Sequence, residues 1–184
     1  MKKDILIIAV VIFFVLLLAK GTKIQSVDEY YLTHIDEISE DSEVVTLSII
    51  CGNIFDNWDS LEPLLRDEKY VPKDGVILAP TQYALRPKDT VFDILDRAVR
   101  HNKIQMEFQA SGLNNYGSVY IRGINYLYEF SCGPLSGWMY TVNNAHPNYG
   151  SSRYFLKDGD VIEWAYTCDL GRDVGCNWIE EDKR

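Results

Sequence analysis

The chain opens with Lys2 and Lys3, then runs without a polar residue from Ile5 to Ala19 before Lys20 ends the stretch. No polar face interrupts it, so it is not the stripe of a core helix. A short basic head and an apolar run of this kind read as a signal peptide or an N-terminal signal anchor over residues 1–20. As a helix the run reaches about 22 Å, short of a hydrocarbon core of about 30 Å. That length fits a cleaved peptide, but LLLAKGTK holds no A-x-A site, and the two readings stay open. In both, the basic head stays inside and the remainder faces out. The expected location is extracytoplasmic, secreted or anchored to the cell membrane through residues 5–19.

From Val44 the pattern becomes that of a folded domain. VVTLSIICGNIF (44–55) alternates and is rich in β-branched residues, which predicts a strand. The next twenty residues, 56–75, are a connection punctuated by Pro and Gly, with one helical turn expected at Leu61–Arg66. GVILAPTQYALRP (75–87) predicts a second strand, interrupted or ended by Pro80. DTVFDILDRAVRHNK (89–103) is helical: Val91, Ile94, Leu95, Ala98 and Val99 share one face. Thr90 and Asp93 have the spacing of a capping box, and Arg97, Arg100 and Lys103 complement the C-terminal end of the dipole. Strand patterns return in 104–111, 118–130, 137–144 and 153–169, and Lys157-Asp158-Gly159-Asp160 is a tight hairpin signal.

Strand, strand, helix and then several strands predict an α+β fold, a β-grasp-like mixed sheet with one main helix packed on one face. In that arrangement the first and last strands lie side by side and parallel at the centre of the sheet. The domain spans 44–184. Residues 21–43 precede it, and VDEYYLTHIDEISEDSE holds seven acids and no Lys or Arg, which predicts an acidic, solvated spacer.

Composition adds a little. Apolar residues make up 47% and charged residues 24%, which is the globular range, and the net charge of −9 removes nucleic acid as a partner. The spacer carries much of that charge; residues 44–184 hold 19 acids and 14 bases, so the domain's charge says little about its ligand.

Catalytic signatures are missing. Ser136 lies in LSGW and not in a G-x-S-x-G elbow. Asp158 and Asp160 are turn formers. Asp56, Asn57, Asp59 and Glu62 are rich in oxygen but lack the central Gly of a calcium loop, and DLGRDVG invites the same discount. Zinc is not expected, because no C-x-x-C occurs and His34, His101 and His146 fall in a spacer, a helix end and a loop. The chain is therefore expected to be neither an enzyme nor a metal protein, and to need no cofactor. The aromatic stretch GWMYTVNN remains. As a strand it puts Trp138 and Tyr140 on one face and Met139 and Thr141 on the other. Trp164 and Tyr166 alternate in the same way, so these rings can be cross-strand pairs or core. They can also form a binding platform of Trp138, Tyr140, Tyr149 and Tyr154, with amides from Asn143, Asn144 and Asn148 at its rim. Such a surface suits a corrin or a sugar ring.

Several blocks carry a resemblance: Ser48-Ile49-Ile50-Cys51, VPKDGVIL, DTVFDILDRA, YIRGINYLYEFSCGPLSGWMYTVNN, PNYG and DGDVIEWAYTCDLGRDVG. Together they resemble a family of extracytoplasmic bacterial domains similar to the C-terminal β-grasp domain of transcobalamin and intrinsic factor, over about residues 44 to 175. The resemblance implies the fold above and, as ligand, cobalamin or a related corrinoid. In transcobalamin this domain caps one face of the corrinoid and a helical domain holds the other. This chain is too short to contain that partner, so corrinoid binding would be partial or shared with another chain.

Cys51, Cys132, Cys168 and Cys176 form an even set bound for an oxidising space and are disulfide candidates. Cys168 and Cys176 flank DLGRDVG and could close a small loop. Cys51 and Cys168 end strands that neighbour each other in a β-grasp, and that pairing is slightly favoured. Buried thiols are the third reading. Function is expected to be ligand binding by an exported domain; the alternative is a cell-surface structural or adhesive module that binds a protein or a glycan.

Overall fold

The computed structural model describes residues 34–113 and 117–176, together with 12, 25–27, 29 and 30. The expected leader, apart from Ile12, lies outside the described residues. No helix among those described is long and apolar enough to cross a membrane.

The strands are β1 (Val44–Ile50), β2 (Val76–Ala84), β3 (Met106–Gln109), β4 (Tyr120–Ile124), β5 (Leu127–Tyr128), β6 (Gly137–Val142) and β7 (Val161–Thr167), and α1 spans Val91–His101. They form an α+β fold with two sheets where one was expected. The larger has the order β2-β1-β7-β6 and the smaller the order β3-β4-β5. β1 runs parallel to β7, with Thr46 opposite Val161 and Ile50 opposite Ala165, while β2 and β6 flank them antiparallel. The first and last strands are thus central neighbours, as the element order implies.

Alternation explains which face is covered. Val45, Leu47 and Ile49 of β1 and Ile162 and Trp164 of β7 are buried together with Val91, Ile94, Leu95, Ala98 and Val99 of α1. The helix begins where its sequence says. The Thr90 hydroxyl accepts from Asp93 N (3.3 Å) and the Asp93 carboxylate accepts from Thr90 N (2.8 Å), which closes the capping box. A second apolar cluster, with Ile54, Leu61, Val71, Leu127 and Tyr166, fills the end of the sheet beyond Ile50.

Four local expectations change. β1 stops at Ile50, and Gly52–Ser60 is a 3-10 segment. Pro80 does not end β2: the strand lies at the sheet edge, and its register slips between Leu47–Thr81 and Ile49–Leu78. Proline is tolerated at an edge and at a bulge because no ladder donor is needed there. The 118–130 pattern splits into β4 and β5 because Asn125 and Tyr126 take φ of 52° and 65°, the left-handed pair that a tight hairpin turn demands. Residues 157–160 do turn, with Asp160 N donating to Lys157 O (3.2 Å), but no hairpin forms around them. Both edges of β7 are taken by β1 and β6, so Phe155 bridges to Thr90 instead.

The acidic spacer is partly docked. Asp36 accepts two hydrogen bonds from Arg86, at 2.7 and 2.9 Å, and lies 3.8 Å from Arg97. The bond from Arg86 holds the Asp36 carboxyl below its ordinary value; the Arg86 and Arg97 charges add to this, and burial opposes it. A depressed folded value means the docking is complete above the unfolded value near 4 and is lost as pH falls through the folded one. We expect the backbone around Asp36 to be protected from limited proteolysis at pH 7 and to lose that protection below about pH 4. Asp36→Asn should lose it at neutral pH. Protection unchanged in that variant would show that the segment is held elsewhere.

Candidate ligand groove

A cleft of about 210 Å3 opens where β6 begins and β7 ends. Its floor is Gly137, Trp138 and Met139 of β6 with Thr167 of β7; Phe130, Pro134 and Leu135 form one wall and Leu170 the other. Local hydrogen bonds set these walls. Ser136 donates through its hydroxyl to Gly133 O (2.8 Å) and accepts from Cys132 N (3.0 Å), closing the turn that presents Pro134 and Leu135. The opposite wall is clasped to the first by Leu170 N donating to Leu135 O (2.8 Å).

The loop after β7 uses its own carboxylates to hold its shape. Asp173 accepts from Thr167 Oγ1 and from Cys168 N, Asp169 pairs with Arg172 (2.7 Å), and Gly171 N donates to Thr167 Oγ1 (2.7 Å). Gly171 has φ of +87°, and a Cβ there would come within 2.3 Å of the Met139 sulfur. Only glycine lets the loop fold over that face of the sheet. The loop's carboxylates are used internally, and no cluster of three or more metal-ligating side chains occurs among the described residues.

The groove is unusual in what it exposes. Phe130 is 61% exposed, Leu170 46% and Leu135 41%. Phe130 and Leu170 also sit at φ of 70° and 50°. A bulky side chain in the left-handed region stores about 1–3 kcal/mol of strain, and such strain gathers at functional sites. Sequence reading missed Phe130, Pro134, Leu135 and Leu170, because they lie in turn-forming loops without periodicity. The one signal was large apolar residues placed beside the turn-formers of SCGPLSG and DLGRDVG.

The aromatic residues named from sequence divide into two groups. Trp138 lines the groove, donates Nε1–H to Leu127 O (2.8 Å) and packs edge-on against Tyr166 at 5.3 Å. Tyr140 pairs across strands with Trp164 at 5.3 Å and donates its hydroxyl to Tyr149 O (2.6 Å). Both rings are therefore packed as cross-strand pairs on the helix side of the sheet. Burial pushes the Tyr140 and Tyr166 hydroxyls well above the usual phenol value. Tyr149 and Tyr154 stack at 5.6 Å beside Tyr140, and Tyr149 and Asn148 are exposed. Asn143 and Asn144 stand at the far end of β6, with φ of 52° and 63° in a two-residue turn. Both amide atoms of Asn143 are used, donating to Asp160 (2.8 Å) and accepting from Val161 N (2.9 Å). The seven residues thus do not form one platform: Trp138 belongs to the groove, the tyrosines to a separate patch, and Asn143 and Asn144 to a turn.

Ser136 is committed to its own turn and to the Tyr166 hydroxyl (3.1 Å). Asn57 donates to Asn53 O (3.0 Å), and the Asp59 backbone carbonyl accepts from Arg66 (2.9 Å).

Comparison with known proteins adds four findings. Residues 88–168, from just before α1 to just after β7, match a family described as a domain of unknown function (DUF4430). No curated protein matches the sequence. A crystal structure of a protein from Ruminococcus gnavus, provisionally described as metal binding, is similar over 68% of this chain and 96% of that one, at 13% identity and a TM-score of 0.40. Haptocorrin in complex with Cbi is similar over 73% of this chain, at 11% identity and a TM-score of 0.47, and the chain spans 27% of haptocorrin's length.

Proposed function

We infer that this chain is an exported, non-catalytic ligand-binding module of β-grasp type, which holds a flat, largely apolar ligand in the Phe130–Leu135–Leu170 groove. The observation that carries the reading is the convergence of three exposed bulky side chains, two of them on strained backbone, around one cleft. Apolar walls of this kind need a partner to cover them. The sequence blocks that resemble transcobalamin's C-terminal domain supply the ligand class, cobalamin or a related corrinoid. About 210 Å3 is below the ~300–1,000 Å3 of a full small-molecule site. The groove therefore grips one edge of such a ligand, and the rest is left to another chain.

Titration of the full chain with cyanocobalamin, followed by the visible spectrum, tests this. A saturating shift below about 1 mM, equivalent to about 4.1 kcal/mol, is expected. Leu135→Asp should weaken it about tenfold or more, since a carboxylate must lose its water to sit in an apolar wall. Leu135 is exposed in a loop, so the variant should keep its fold. Equal binding by the variant would move the site off the groove. Silence of the parent chain would sink the corrinoid reading and favour an adhesive module, for which the stacked Tyr149 and Tyr154 offer a surface to a sugar ring.

A further inference from the structure

We propose that Cys132 and Cys168 form a disulfide in the exported protein, a covalent staple between the two walls of the groove. Three thiols converge at this end of the sheet: Cys51 and Cys132 are buried in the second apolar cluster and Cys168 packs against it. Position singles out one pair. Cys132 and Cys168 pack in the same apolar cluster. Both also point at one short stretch of backbone, Cys132 toward Asn57 O (3.5 Å) and Cys168 toward Asn53 O (3.9 Å). The Asn57 side chain ties that stretch together by donating to Asn53 O (3.0 Å). The backbone agrees. Cys132 is tied through its N–H to Ser136 (3.0 Å), the next residue, Gly137, is opposite Thr167, and Cys168 follows Thr167.

The pairing of Cys51 with Cys168, which strand adjacency favours, is displaced by register. The last β1–β7 pair is Ile50 with Ala165. Continued by one residue, that register puts Cys51 level with Tyr166, so Cys168 lies two residues, about 7 Å, further on and past the end of β7. Meanwhile Cys51 leaves the ladder, donating to Gly75 O (2.7 Å), and the chain turns into the 3-10 segment. Cys176 sits across the loop, donating from its backbone to Gly171 O (2.8 Å).

The chemistry is thiol–disulfide exchange with an external disulfide, the oxidant class of an oxidising compartment. One cysteine thiolate attacks the oxidant's S–S bond, releases one half as thiolate and holds the other half as a mixed disulfide. The second cysteine thiolate attacks the protein sulfur of that bond and releases the second half. Two protons leave the cysteines, and the oxidant is reduced to two thiols. Burial pushes the Cys51 thiol up to about 12 and raises those of Cys132 and Cys168. Attack needs thiolate, so the exchange belongs to the folding chain, before this end of the sheet closes. Once formed, the bond joins the turn bearing Pro134 and Leu135 to the strand end that leads to Leu170. The staple does not depend on which ligand the groove holds.

Trypsin separates the four cysteines, because it cuts after Arg66, Arg122, Arg153, Lys157 and Arg172. The full chain is expressed with export, trapped with iodoacetamide before lysis, and digested without reductant. The expected result is a linked pair of peptides 123–153 and 158–172 that separates on reduction and persists in Cys51→Ser. In Cys132→Ser, Cys168 should be recovered alkylated. Recovery of Cys168 linked to Cys51 or Cys176, or recovery of Cys132 and Cys168 fully alkylated from the exported parent protein, overturns the proposal. Should Cys132→Ser fail to accumulate, the parent and Cys51→Ser digests still decide.

Discussion

Asp89→Ala should lower the stability of the domain by about 3–5 kcal/mol, the cost of removing one partner of a buried ion pair. Asp89 and Arg97 are 9% and 8% exposed and bonded directly to each other. Arg97 points inward from α1, so it does more than complement the helix dipole. It also donates to Ala84 O (3.3 Å). Asp89 accepts from Arg86 N (2.7 Å), and its carbonyl accepts from Leu156 N (3.0 Å). The pair therefore binds β2, the start of α1 and the approach to β7 to one another. Without the carboxylate, the guanidinium stays in place with Asp36 at 3.8 Å as its remaining anion. An exposed pair would be worth only about 0–1 kcal/mol. Urea unfolding with linear extrapolation measures the difference. A loss under about 1 kcal/mol would show that water reaches the pair. Replacing both residues with apolar side chains should recover much of the loss, because burying a charge pair offsets most of its own attraction.

Phe130→Gly should move stability and binding in opposite directions. Relief of a left-handed phenylalanine is worth about 1–3 kcal/mol, and glycine costs about 0.5–1 kcal/mol in added chain entropy. The expected net gain is about 1 kcal/mol, because Phe130 is largely exposed and little burial is lost. The backbone bond from Phe130 N to Ser136 O (3.0 Å) survives the change. Ligand affinity should fall at least about tenfold with the loss of this exposed groove ring. Thermal unfolding and the cyanocobalamin titration, run on the same preparation, read both effects. A fall in stability would mean that Phe130 packs as core; a gain with binding intact would place the ligand elsewhere. The opposed signs are what a site that stores strain for function predicts.

Features that depend on a few neighbouring residues were legible in the amino-acid order. α1 is the clearest: its cap spans four residues and its buried face repeats within three turns, so no distant contact is needed to specify it. The parallel pairing of β1 and β7 also followed, since one helix and few strands leave little choice about what the helix covers. The turn at Asn143 and Asn144 shows the limit. Its amides look like ligand groups on paper, yet the left-handed backbone and the bonds to Asp160 and Val161 use them to close the chain. The groove was hidden for a related reason. Phe130, Leu135 and Leu170 come from two loops about forty residues apart in sequence, and they meet because Leu170 N bonds to Leu135 O. The same holds for Cys132 in one cluster with Cys168 and for Asp36 on Arg86. Short-range order is written in propensity and period, which act over three or four residues. Contacts between distant segments are set by register, burial and the competition of several strands for the same edges, and these exist only once the chain has folded.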